Sequence, residues 1–301
     1  MKISILLPYK ENFSPTYAGA VSIFVNSTNK LSDFKNDITV FGSTDYKKKL
    51  SNNYVNINLS KRILKSQSKE YVEKFYDMQL KINSDIIEIH NRPNYINKLT
   101  KLNSKLVLYF HNDPINMIGS KSIDERIKLL NVCSKIIFNS EWSKKQYLKD
   151  LTNFYHKSEK LEVIHQSTNK TKINLKKKEK LITFVGKLNS AKGYDIFGEA
   201  ITRILNKYSD WKSIVIGDEP REKLIFKHKN LNLLGFKNHK FTLKELSNSS
   251  ICVVCSRWDE PFGRIALEAS SRGCAVIITN NGGLKEAATD PLIIKKLNEK
   301  T

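Results

Sequence analysis

Thirteen short apolar runs alternate with helix-like stretches along this chain, and that alternation restricts the possible folds more than any other feature. Seven lie in the first half, at Ile3 to Leu7, Ile38 to Phe41, Val55 to Leu59, Ile86 to Ile89, Leu106 to Phe110, Ile136 to Phe138 and Leu161 to Ile164. Six lie in the second, at Leu181 to Val185, Ile214 to Ile216, Leu231 to Leu234, Ile251 to Val254, Ala275 to Thr279 and Leu292 to Ile294. Most are continuously apolar, as strands buried on both faces must be, so the sheets are expected to be parallel with helices on both sides. Between Gln166 and Lys180 the pattern lapses into a polar, lysine-rich segment. The chain therefore reads as α/β, with one doubly wound Rossmann-like domain over 1–168, a linker over 169–180 and a second such domain over 181–301. Ligands of open α/β sheets bind at the carboxyl ends of the strands, and two such domains can face each other across a cleft.

The 301 residues are 40% hydrophobic, enough for two cores. The net charge of +21 is spread: 27 basic minus 16 acidic residues over 1–170 give +11, and 24 minus 14 over 171–301 give +10. An even spread argues against a nucleic-acid stripe and leaves attraction to phosphorylated donors or to an anionic membrane surface. No apolar run is long enough to span a bilayer, and the first ten residues are too short in their apolar part for a signal peptide, so a cytoplasmic chain is expected. Cys252 and Cys255 are three apart in a strand and should point to opposite faces, and with Cys133 and Cys274 they complete no metal or redox motif.

The richest stretch runs from Ser256 to Ala269. A buried strand, Ile251 to Cys255, leads into Arg-Trp-Asp-Glu-Pro-Phe-Gly, and Ile265 to Arg272 then reads as a helix ended by Gly273. Pro261 and Gly263 stand at the helix start, where free N–H groups favour an anion. Glu260 lies in the loop and Glu268 about one and a half turns inside the helix. Elsewhere Gly19 opens the first helix. His111 follows a strand and precedes Asn112-Asp113-Pro114, while His90-Asn91-Arg92-Pro93 after another strand is a rival of the same form. Gly186-Lys187-Leu188-Asn189-Ser190-Ala191-Lys192-Gly193 supplies two cations after a strand, suited to a departing diphosphate. Gly217-Asp218 and Gly235-Phe236 end two more strands, where backbone groups could hold a nucleobase.

Glu-Pro-Phe-Gly, a helix opening and Leu-Glu-Ala together resemble the Glu-x7-Glu signature of family 4 of the retaining, nucleotide-sugar-dependent glycosyltransferases with the GT-B fold. The segment from Gly186 to Gly193 is similar to that family's Gly-Arg-Leu-x-x-x-Lys-Gly, with Lys187 in place of the arginine. Asn280 to Glu286 resembles its Gly-Gly-x-x-Glu segment, and Ala18-Gly19-Ala20 stands where the family carries a glycine loop. The resemblance implies a metal-independent transfer of a sugar from a UDP- or GDP-sugar to an acceptor hydroxyl with retention, in lipopolysaccharide, capsule or glycolipid synthesis. It implies catalytic roles for Glu260, His111 and Lys192, with Glu260 on the sugar hydroxyls and Glu268 on the ribose. Gly19, Lys187, Lys192, Gly217, Phe236, Ser256, Phe262, Gly263, Arg264 and Ile265 would complete the substrate-binding set, with no cofactor beyond the donor itself. It implies a saccharide or lipid-linked acceptor and peripheral contact with the inner face of the membrane. Members usually carry a terminal helix, and this chain reads as lacking it, with Lys295 to Thr301 only approaching one. A non-catalytic nucleotide- or nucleic-acid-binding protein on the same fold is the alternative.

Overall fold

The computed structural model describes residues 1–60, 66–169 and 171–294; the expected approach to a helix at Lys295 to Thr301 lies outside them. The chain divides into two compact units, Met1–His165 and Gln166–Thr301.

The first unit holds seven parallel strands: β1 (Ile3–Leu6), β2 (Ile38–Gly42), β3 (Tyr54–Asn56), β4 (Ile86–His90), β5 (Lys105–Phe110), β6 (Lys135–Phe138) and β7 (Leu161–Val163). Their order is β3-β2-β1-β4-β5-β6-β7, so the chain winds one way from β1 and the other way from β4. Alternate residues on each strand feed two cores. Ile3, Ile5, Leu7, Val40 and Tyr109 pack on one face with Val21, Phe24 and Val25 of the helix Ala20–Leu31. Leu6, Phe41, Ile87, Ile89, Leu108, Phe110 and Phe138 pack on the other with Tyr71 and Phe75 of the helix Gln67–Ile82. Period-two alternation with an apolar cover on each side is what makes the runs read as continuously apolar.

The second unit holds β8 (Glu179–Val185), β9 (Lys212–Ile216), β10 (Leu231–Gly235), β11 (Ser249–Val254), β12 (Ala275–Thr279) and β13 (Leu292–Ile294), in the order β10-β9-β8-β11-β12-β13. The direction of winding reverses between β8 and β11, which pair in parallel from Ile182 opposite Ile251 to Phe184 opposite Val253. Cys252 and Cys255 do face opposite sides: Cys252 joins Phe262, Ala266 and Ile278, and Cys255 joins Phe184, Tyr194 and Phe197. Burial pushes the Cys255 thiol up to about 12, so it is not a thiolate at neutral pH.

Much of the segment read as a linker packs on this second unit. Lys178 donates from Nζ to the carbonyls of Leu246 (3.1 Å) and Ser249 (2.7 Å), and Ile173 and Leu175 lie beside Gly273. Lys178 thus satisfies carbonyls at the end of the helix His239–Asn248 and at the start of β11.

Candidate functional site

The loops after β8 and β11 leave the second sheet at its point of reversal, and they enclose a cavity of about 170 Å³. Its wall includes Gly186 and Lys192 from the first loop, Ser256 and Glu260 from the second, and Gly263, Arg264 and Ile265 from the opening of the helix Arg264–Ser270. A larger groove of about 430 Å³ lies against the helix Tyr194–Lys207, lined by residues such as Ile182, Ile201, Val253 and Trp211. That groove is almost wholly apolar and holds no ionisable side chain suited to chemistry, so the smaller cavity is the candidate site.

Close backbone contacts shape this loop pair. Gly193 turns at φ 72°, and a Cβ there would stand 2.0 Å from the Cys255 carbonyl oxygen. Gly282, at φ 64°, lies against the backbone of Glu260, and the Gly283 N–H donates to the Glu260 carbonyl at 2.7 Å. Only glycine allows both the left-handed turn and the approach. Asn189 accepts from the Lys192 N–H at 3.0 Å, which closes the short turn that aims Lys192. Lys192 Nζ then pairs with Glu260 Oε1, so the two groups expected to act on donor and leaving group neutralise each other in the ligand-free protein.

Glu268 is buried to 1% exposure. Its Oε1 accepts from His239 Nε2 at 2.8 Å, and Arg264 Nε lies 2.7 Å away, an ion pair by distance whose N–H is not aligned as a hydrogen bond. Oε2 of Glu268, and Nε and Nη1 of Arg264, are buried with no hydrogen-bond partner. Arg264 Nε is met by the carboxylate charge, but Glu268 Oε2 and Arg264 Nη1 are not, and each costs roughly 1–3 kcal/mol of lost solvation unless a ligand or water meets it.

Other expected residues sit differently. Phe262, 3% exposed, belongs to the core with Ala266 and Leu284, and Ile265 packs on the same cluster. The Ser256 hydroxyl is spent internally, near the carbonyls of Ala191 (3.2 Å) and Trp258 (3.1 Å), so it braces the loop. Gly217 is required because a Cβ there would meet the Gly186 carbonyl at 1.8 Å. Lys187 and Phe236 are exposed. At Gly19 the space a substrate was expected to use is taken by this chain's own Glu11, whose Oε1 lies 2.2 Å from where a Cβ would be and accepts from the Ser22 N–H at 2.9 Å. Burial raises the Glu11 carboxyl above its usual range.

In the first unit, His111 is only 7% exposed, well inside the edge position its turn suggested. His90, read as its rival, is its neighbour: His90 Nδ1 and His111 Nε2 are 2.7 Å apart. His90 and His111 are 21 residues apart in the sequence, and the register of β4 on β5, with His90 opposite Tyr109, brings them together.

The two doubly wound parallel-sheet units have the GT-B fold seen in solved glycosyltransferase structures. The solved structure of Anabaena HepE in complex with UDP-glucose matches 98% of this chain and 86% of its own with a TM-score of 0.73 at 15% identity. Residues 165–292 match the family of glycosyl transferases group 1. Spore coat protein SA of Bacillus subtilis is 25% identical over 95% of this chain and 82% of its own length. The 2-deoxystreptamine N-acetyl-D-glucosaminyltransferase of Niallia circulans is 30% identical over 55% of this chain and 43% of its own.

Proposed function

We propose that this protein is a retaining glycosyltransferase that moves a sugar from a UDP- or GDP-sugar to an acceptor hydroxyl. The observation that carries the reading is the unpartnered pair of Glu268 Oε2 and Arg264 Nη1 beside the cavity of Lys192 and Glu260. A ribose diol suits it, since each hydroxyl can donate to the carboxylate and accept from the guanidinium. The 2-OH and 3-OH of a ribose would fill what the protein leaves open.

The chemistry follows from where charge develops. As the glycosidic bond to the diphosphate breaks, negative charge grows on the leaving oxygen, and Lys192 stabilises it once the diphosphate displaces Glu260 from the ammonium. Glu260, released, accepts from the sugar hydroxyls. The acceptor hydroxyl attacks on the face the diphosphate leaves, and the departing phosphate takes its proton, so the configuration is retained with no protein nucleophile. Lys187 adds positive potential at long range. Because lysines and backbone N–H groups carry the charge, turnover is expected to be unchanged in EDTA. The first unit is assigned the acceptor, and His111 is its residue for the chemistry. The charge of +21 favours a lipid-linked acceptor at an anionic membrane surface and a role in polysaccharide or glycolipid synthesis. Sedimentation with anionic but not neutral liposomes, lost as salt rises, checks that part.

The test is direct. Melting curves with UDP, GDP and ADP identify the nucleotide, since a ligand at about 100 times its Kd stabilises by about 2.7 kcal/mol. Proton NMR of the product made from the matching nucleotide-sugar then reads the anomeric configuration. Inversion would refute the same-face mechanism, and nucleotide binding without turnover of any sugar donor would favour a non-catalytic binding protein.

A further inference from the structure

His90 and His111 lie on one face of the first unit's sheet, at the point where the winding reverses between β1 and β4. Glu88 and His90 alternate along β4, so both side chains leave the same face, and Glu88 Oε1 stands 2.6 Å from His90 Nε2. The other ring nitrogen, Nδ1, is 2.7 Å from His111 Nε2, and the contact is buried. Stacking holds the rings in place. Tyr109 lies parallel to His111 with centroids 4.4 Å apart and 9° between planes, and parallel to His90 at 5.5 Å and 16°. Phe24 closes the stack edge-on, 5.2 Å from His111 and 6.3 Å from His90. Asn91, in a left-handed turn at φ 53°, accepts from the N–H groups of His111 (2.8 Å) and Asn112 (3.1 Å), which ties the end of β4 to the end of β5.

We propose that Glu88, His90 and His111 form a proton relay that holds His111 in its Nε2–H tautomer, with His90 as a positioning residue and Glu88 as the anion that sets the direction. Two imidazole nitrogens 2.7 Å apart share one proton; two protons or two lone pairs would repel. Glu88 decides its side. The carboxylate oxygen is off the line of an ideal N–H bond to His90, yet at 2.6 Å a bare lone pair on Nε2 would face a negative charge, so the proton of neutral His90 belongs on Nε2. His90 Nδ1 is then the acceptor, the shared proton sits on His111 Nε2, and the lone pair of His111 is on Nδ1. When His111 Nδ1 takes up a proton from solvent, the shared proton passes from its Nε2 to His90 Nδ1. The positive charge comes to rest on His90 beside Glu88, so one proton enters and none is lost. Among the described residues, Glu11 from the loop after β1 interacts electrostatically with His90 and with Arg92 just beyond β4, and the Tyr109 hydroxyl, whose ring stacks on both histidines, donates to the Ile164 carbonyl at 2.5 Å.

The relay is internal to the first unit; only its consequence for turnover rests on the glycosyltransferase reading. Long-range 15N–1H NMR of the full chain labelled at histidine reads the tautomers, with His90→Gln and His111→Gln to assign the rings. Above the pH at which the rings are neutral, both are expected to show a pyrrole-type Nε2 and a pyridine-type Nδ1. Glu88→Leu is expected to move His111 toward a mixture of tautomers. A wild-type His111 protonated on Nδ1, or a folded Glu88→Leu protein with an unchanged pattern, overturns the relay. If Glu88→Leu does not fold, the wild-type pattern alone decides. In turnover, Glu88→Gln is expected to lower kcat about tenfold with KM for the donor unchanged. An altered tautomer with unchanged kcat would instead remove His111 from the chemistry while the relay stands.

Discussion

Replacing Glu268 by alanine tests the centre of the site, and its two effects can be separated. The carboxylate faces Arg264, whose side chain is 11% exposed, and His239, whose side chain is 30% exposed. Breaking a buried pair by removing one partner costs roughly 3–5 kcal/mol, because the other charge is stranded. Arg264, however, lines a cavity of about 170 Å³, room for roughly five waters at about 30 Å³ each, so it can be partly rehydrated. The half-exposed histidine adds at most about 1 kcal/mol. The expected loss is therefore at the low end, about 3 kcal/mol, which for a unit of this size lowers its melting temperature by roughly 10 °C. Calorimetry on the full chain reads it. The double variant Glu268→Leu with Arg264→Leu removes both charges from the core and is expected to recover most of that stability, since apolar pairs replace buried ion pairs at little or no cost. Nucleotide binding should not recover: titration calorimetry with the nucleotide identified by melting is expected to show both variants weaker by roughly 1–3 kcal/mol, about 5- to 150-fold. A double variant as unstable as the single one would show that Arg264 is not stranded. Wild-type affinity in either would take Glu268 out of the nucleotide site.

Lys192→Ala is expected to lower kcat by roughly 10²–10³ with a smaller effect on donor affinity, whereas Glu260→Gln should spare binding of the bare nucleotide and lower turnover; steady-state kinetics beside nucleotide titration separates them, and identical behaviour would refute the division of roles. Gly193→Ala should destabilise the second unit by more than about 2 kcal/mol in urea unfolding, because alanine is strained at φ 72° and its Cβ would lie 2.0 Å from the Cys255 carbonyl oxygen. Glu11 has a folded pKa raised by burial, so its contribution is fully present below the unfolded value of about 4.3 and is lost as pH rises through the folded one. Glu11→Gln should therefore stabilise the first unit at pH 7 and have no effect below about pH 4, and an equal effect at both pH values would refute the assignment.

Much of this was legible in the sequence because the signals are local. Most strands announce themselves by a short apolar run, and the opening of the helix at Arg264 is marked by the proline and glycine before it. The carboxylates Glu260 and Glu268 are eight apart, and that spacing alone puts one in the loop and one in the helix. What escaped reading depends on which residues meet across elements. Glu11 fills the space at Gly19 from eight residues upstream. Phe262 was expected in the substrate-binding set, but it is buried in the core with Val276 and Ile278 of β12. The pairing of His90 with His111 depends on strand register, which no single strand encodes.

The glycine contacts around the cavity bear on how this protein could be re-engineered. Where Gly193 meets Cys255 and Gly282 meets Glu260, main chain rests directly on main chain, so no side-chain choice lies between the loops to be varied. A library meant to change the donor would therefore gain nothing by randomising these turns and would mostly yield unfolded clones. Diversity belongs at exposed positions such as Lys187 and Phe236, which follow strand ends. The frame and the selectivity of the pocket can then be altered independently.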